Sequence, residues 1–265
     1  MDYDKLNLNL SLEEQGLSLD KIRADKYLIR SLEEGHPETF KYLMNQGMTL
    51  DDVMIDKGDC LRYISFNGFT ELLEFLIDKG LTLENMMVGD GCCLDLATHN
   101  GHLDILKIFV RCGLDLDFKS LIPYALERGG HLNIFEYFLE LGMTLEDVKP
   151  YADSCISRSL NYGNIELAKF FMKLGMTLEN LRFNSNQCLR DVTRYGLLES
   201  VKFLIEMGIN SEDIKMNDNY CVLCTLYKGY KEILFLFREI GITEQEVTDC
   251  TKELLNYTDE MKLIF

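Results

Sequence analysis

Cys92-Cys93-Leu94-Asp95-Leu96-Ala97-Thr98-His99-Asn100-Gly101-His102-Leu103-Asp104-Ile105-Leu106-Lys107 reads as two short helical stretches hinged at a glycine. Working outward from it, Gly101 pairs with Gly113 twelve residues on, and the same spacing recurs at Gly35–Gly47, Gly68–Gly80, Gly130–Gly142, Gly163–Gly175, Gly196–Gly208 and Gly229–Gly241. The closing glycines advance by 33 residues, except for the 29-residue step from Gly113 to Gly142. Gly16, 31 residues before Gly47, is the remnant of an earlier unit. A fixed period in this range marks a stacked-repeat architecture.

Between the paired glycines the apolar residues follow helical spacing. Phe40, Tyr42 and Leu43 recur as Leu73, Phe75 and Leu76, as Leu106, Ile108 and Phe109, and as Leu234, Leu236 and Phe237, which predicts the inward faces of amphipathic helices. Glu38, Glu71, Asp104, Glu166, Glu199 and Glu232 stand three residues after the opening glycine, at the positive end of the helix dipole, with Asn133 in the remaining unit. The closing glycine falls where a helix needs a left-handed residue to stop. A second helical stretch precedes each opening glycine, so each unit is a helix pair. Such short helices are marginal alone in water and must stack on their neighbours.

With its period of 33, small first helix, Gly101-His102 and second helix, the opening stretch resembles the ankyrin-repeat family, and Gly130-His131 returns the same pair. The resemblance covers roughly residues 16 to 242 and implies an all-α solenoid: residues 1–30 as an atypical N-terminal cap, 31–243 as about seven repeats and 244–265 as a capping helix, in one domain. The chain departs from the family in the finger after each second helix. Gly47-Met48-Thr49-Leu50-Asp51-Asp52-Val53 and its counterparts after Gly80, Gly142 and Gly175 place a threonine before carboxylates. That signal opens a helix, so the fingers are expected to be short helical turns rather than full β-hairpins. The 29-residue step implies a trimmed finger near Asp115 to Leu121. This drift is similar to that of ankyrin proteins of giant viruses and amoeba-associated organisms.

Composition bounds the function. A formal charge of −17 and a pI near 4.7 argue against a surface that embraces nucleic acid. The start Met1-Asp2-Tyr3-Asp4-Lys5 lacks the basic and apolar character of a secretory signal, and no apolar run approaches the roughly 18 residues of a membrane span. A soluble, monomeric, cytoplasmic protein is expected, in the host cytoplasm if the source is viral. An odd count of nine cysteines then reads as reduced thiols.

Cys92-Cys93 and Cys221-x-x-Cys224 are the places to look for a metal or a nucleophile. Cys60, Cys93, Cys155, Cys188 and Cys221, however, all stand eight residues before an opening glycine, where the family has the tight turn entering the first helix. Recurrence at one structural position makes them small buried spacers. His36, His102 and His131 follow opening glycines and read as loop-to-helix packing groups, while His99 projects from a first helix. No nucleophile–base–orienter set or phosphate loop is legible, and no catalytic residue, metal or cofactor is expected.

The resemblance implies that first helices and fingers form the concave side, so the residues before each opening glycine would face a partner. There stand Tyr63, Phe66, His99, Arg128, Arg158 and Tyr162, then Arg190, Arg194, Tyr195, Tyr227 and Lys228. Tyr and Arg dominate binding hot spots because each joins large contact area to polar reach. The expectation is a non-catalytic protein-interaction scaffold whose arginines meet an acidic or phosphorylated segment. Two rivals are a ubiquitin-ligase substrate adaptor, which needs a C-terminal docking segment, and an enzyme with a hidden site. Leu263-Ile264-Phe265 is a candidate docking motif.

Overall fold

Every opening glycine is followed by a single capping residue and then a helix, which places the recurrent carboxylate in the first turn. The computed structural model describes residues 6–89 and 92–262 of the chain, so Leu263-Ile264-Phe265 lies outside the described residues. All regular structure among the described residues is helical, with no strand. The chain divides into two compact units, Met1–Ala125 and Leu126–Phe265.

In the first unit the first helices are Tyr27–Glu33, Ile55–Asn67, Cys92–His99 and Phe118–Ala125, and each packs on the next. The second helices Pro37–Asn45, Thr70–Asp78 and Leu103–Arg111 form a parallel series. The second unit repeats the plan. First helices Ala152–Asn161, Phe183–Arg194 and Ser211–Lys228 pack in order, as do second helices Leu132–Glu140, Ile165–Leu174, Leu198–Glu206 and Lys231–Glu239. The helix Glu244–Lys262 covers the last first helix. Between Gly113 and Phe118 no finger helix forms, in keeping with the shorter step.

The inward triples are corrected in detail. Phe40 and Leu43, Leu73 and Leu76, and Leu106 and Phe109 are buried, whereas the middle members Tyr42 and Phe75 are only half-buried. A two-residue step turns a side chain about 200° around a helix, so a middle member reaches the core only where a neighbour closes over it, as at Ile108. In the last repeat Phe237 is buried while Leu234 and Leu236 stay half-buried. In the second unit Phe135 meets Phe171 edge-on at 4.9 Å, joining two successive second helices.

The fingers are helical turns: Leu50–Val53, Leu83–Met86, Leu145–Val148 and Leu178–Leu181. Thr49, Thr82, Thr144 and Thr177 cap them, and the Asp or Asn three residues on accepts the threonine backbone N–H at 2.8, 3.1, 2.9 and 2.9 Å. These reciprocal bonds satisfy donors that a four-residue helix cannot satisfy internally. The same cap recurs at Asn210 with Asp213 and at Thr243 with Glu246, and three of the capping acids also bind a cation of the preceding repeat. Arg23 donates to both oxygens of Asp52 at 2.7 and 3.2 Å, Arg182 to both of Asp213 at 2.9 and 2.8 Å, and Lys215 to Glu246 at 2.9 Å. Where the capping position holds Asn85 or Asn180, no ion pair to the preceding finger forms among the described residues.

After the fingers the chain turns left-handed. Asn184-Ser185-Asn186 and Asn217-Asp218-Asn219 hold φ of 48–60°, as do Asp56 and Lys57 at 53° and 59°. Asn and Asp are the non-glycine residues that enter this region most readily.

At the opening glycines Gly68 and Gly196, and at Gly129 just before the opening Gly130, the next repeat lies against the backbone. A Cβ on Gly129 would fall 2.3 Å from the Tyr162 Cβ, one on Gly68 2.4 Å from the His102 ring, and one on Gly196 2.6 Å from the Tyr230 ring. His102 Nε2 completes its contact by bonding the Phe66 carbonyl at 2.9 Å, and Asn164 Nδ2 reaches the Gly130 carbonyl at 3.1 Å.

Two outcomes follow from these contacts. Gly129→Ala, at φ 93° and with Tyr162 Cβ in the way, should lose about 2–5 kcal/mol by urea unfolding. Gly163→Ala, at φ 74° with open space, should lose only about 1–2 kcal/mol; equal losses would remove the contact argument. Burial alone would raise the Asp52 and Asp213 carboxyls, but their hydrogen bonds outweigh it and hold both below the ordinary range. The Thr243 backbone N–H and then Lys215 bring Glu246 down to about 2. A carboxyl lowered on folding stabilises above its unfolded value of about 4 and loses that contribution as pH falls through the folded value. The urea midpoint should therefore hold from pH 7 to about 5 and drop between about 4.5 and 2. Asp213→Ala should cost about 2–3 kcal/mol at pH 7, because it removes a cap and a buried acceptor together.

Candidate functional site

The residues singled out from the sequence fall into two groups, one in each unit. In the first unit Tyr63, Phe66 and His99 lie on consecutive first helices. Tyr63 is half-buried and its phenol donates to Glu33 at 3.0 Å; that bond raises its pKa. Phe66 is 44% exposed and its carbonyl holds His102. His99 is half-buried. An open groove of about 470 Å³ runs here, walled by Ile29, Tyr63, Phe66, Cys92 and Leu96, with Glu33, Asp59 and Arg62 at its edge. Further along, Asp95 is raised by burial while its bond from Tyr124 pulls the other way.

In the second unit Tyr162, Tyr195 and Tyr227 close successive first helices and are 65%, 62% and 67% exposed. Lys228 Nζ stands 5.6 Å over the Tyr227 ring. The arginines divide by what already holds them. Arg158 is bonded to Glu127 at 2.9 Å, and Arg190 donates to the Ser185 carbonyl and to that of Asn184 at 3.2 Å. Arg190 thereby braces the left-handed turn that interrupts the start of its own helix, Phe183–Arg194. Arg62, at the same place in the first unit, does likewise for the Lys57 carbonyl at 3.3 Å. Arg128 is corrected: it lies past the helix Phe118–Ala125, in the short turn Glu127–Gly129 at φ 52°, and is exposed. Pro123 within that helix removes an N–H donor in its last turn. The Arg194 guanidinium is exposed and forms no hydrogen bond or ion pair among the described residues.

Sequence reasoning missed Asp153, Asp191 and Phe183. The two carboxylates line a second groove of about 230 Å³ between Ala152–Asn161 and Phe183–Arg194, with Phe183, 56% exposed, on its wall. Neither forms a hydrogen bond or ion pair among the described residues, and burial raises the Asp153 carboxyl. The one signal available, for Phe183, was an apolar residue just past the finger cap: Ile55, Phe183 and Met216 recur six residues after Thr49, Thr177 and Asn210 and are 51%, 56% and 43% exposed.

The thiols are packing groups. Cys60, Cys93, Cys155, Cys188 and Cys221 are 0–4% exposed and sit in the opening turn of the first helices, Cys60, Cys188 and Cys221 two residues past the left-handed turn. Burial pushes Cys60, Cys188 and Cys221 up to about 12 and Cys93 to about 11, far from a reactive thiolate. No group of three or more His, Cys, Asp or Glu side chains among the described residues is placed to hold a metal ion. No described helix is long and apolar enough to cross a membrane.

A disulfide-exchange reagent at neutral pH should titrate the half-buried Cys92, Cys112 and Cys224 in the native protein and the other six thiols only after unfolding. Rapid native reaction of Cys155 or Cys188 would refute the packing assignment. A comparison with protein-family models gives no match, and neither does a comparison with curated proteins.

Proposed function

We propose that the chain is a divergent ankyrin-type repeat protein and a non-catalytic scaffold that binds a protein partner along the first-helix face of its repeats. The observation that carries this reading is the series Tyr162, Tyr195 and Tyr227, each more than 60% exposed at the end of a successive first helix. A tyrosine pointed at water leaves its ring area unused, whereas in an interface the same ring supplies a large contact at the cost of few rotors.

Support comes from how firmly the platform is held. The finger caps, the Arg182–Asp213 clasp and the arginine-braced turns fix the starts of the helices whose far ends present these rings. A presenting surface fixed before binding loses less entropy on association. The five repeat-equivalent thiols give the enzyme rival no support, since they are buried and burial raises their pKa values.

The test is capture of partners from a native extract by the full chain beside a Tyr162→Ala/Tyr195→Ala/Tyr227→Ala variant. Rings this exposed contribute little to folding, so the melting temperature should stay within a few degrees. Affinity for a captured partner should fall about tenfold or more. A variant that retains every specific partner at full affinity would overturn the proposal.

A further inference from the structure

Each groove between first helices holds carboxylates that form no ion pair among the described residues, and the arginine that lines it, Arg62 or Arg158, is already engaged. In the first unit Glu33 accepts the Tyr63 phenol and forms no ion pair among the described residues. Arg62, at the same groove, is bound to Asp59 and to the Lys57 carbonyl. The remaining wall is apolar, with Phe66 facing solvent. The groove of the second unit is lined mainly by polar side chains, with Leu181 and Phe183 as its apolar wall. Asp153 and Asp191 lack a donor, and Asn161 Oδ1 is sealed from water without one. Arg158 and Arg190 are held by Glu127 and by backbone carbonyls, and Phe183 forms the exposed aromatic wall.

We propose that these two grooves receive lysine or arginine side chains from a basic segment of a protein partner, with the methylene stem on the apolar wall and the cationic head on the unpaired carboxylates. The proposal rests on the scaffold reading above and specifies the partner's chemistry. A lysine head brings three donors and an arginine head five, which is what the Asp153 and Asp191 carboxylates lack. Their stems cover apolar surface, and a cation over the face of Phe66 or Phe183 gains a further attraction. The alternatives fare worse. An acidic or phosphorylated side chain would meet like charge at Asp153 and Asp191. A purely apolar one would seal both carboxylates away from water with no counter-charge. The formal charge of −17 also favours encounter with a basic segment.

The test titrates the full chain, at a salt concentration of about 0.15 M, with two capped peptides of equal length, one alternating Arg and Ser and the other alternating Glu and Ser. Calorimetry measures affinity, and amide resonances report position. The Arg peptide should bind saturably and shift the resonances of Glu33, Phe66, Asp153, Phe183 and Asp191. Asp153→Asn/Asp191→Asn should weaken it about tenfold and Phe183→Ala, at unchanged charge, about threefold. Glu71→Gln/Asp104→Asn removes the same charge from acids on second helices that are 89% and 74% exposed, and should change affinity less than about twofold. Melting temperatures establish that each variant is folded. Equal weakening by the control, equal binding of the Glu peptide, or no saturable binding of the Arg peptide would each overturn the proposal. In any of these cases, tyrosine-dependent partner capture would leave the scaffold reading standing.

Discussion

A helix of nine residues does not persist alone in water, and each second helix of this chain is only nine or ten residues long. Lateral packing is therefore the condition on which every other feature depends. Each helix pair is held in place by the next, through Phe135 against Phe171 in the second unit and through the series of buried leucines in the first. The two backbones must come close for this to work. The space a Cβ would need at Gly129 and Gly68 is occupied by Tyr162 and His102 of the following repeat.

Between the pairs, the fingers carry the polar part of the same task. A four-residue helix cannot satisfy its own N–H groups, so threonine and the acid or amide three residues on do it for them. Asp52 and Asp213 then serve twice, as caps for their own finger and as acceptors for the arginine of the previous one. That double use keeps buried carboxylates ionised, and it couples neighbouring repeats by directional bonds as well as by apolar contact.

The same logic explains why counting cations on first helices misleads. Arg62 and Arg190 occupy equivalent places and both support the carbonyls of a left-handed turn. Such a turn points successive carbonyls in directions that no helical N–H can reach, and a guanidinium reaches them. Arg158 is neutralised by Glu127. The charge left over on the first-helix faces includes Glu33, Asp153 and Asp191, and it lies in the same grooves as the exposed rings of Phe66 and Phe183.

The sequence by itself determined the helix pairs and their order, because a glycine period of 33 and a carboxylate in the first turn are local signals. It also determined the helical fingers, since a capping box is written within four residues, and the burial of the five cysteines, since recurrence at one position implies one environment. Only the tertiary structure decided which side chains are engaged. Arg158 meets Glu127 from 31 residues away and Tyr63 meets Glu33 from 30, so their bonds depend on how one repeat lies on the next. Arg128 escaped for a related reason: Pro123 and the short step leave its helix ending at Ala125, and a consensus period carries the helix past that point. Periodicity reports which residues recur, whereas pairing depends on distances across the stack, and those exist only once the neighbouring repeats have closed on each other.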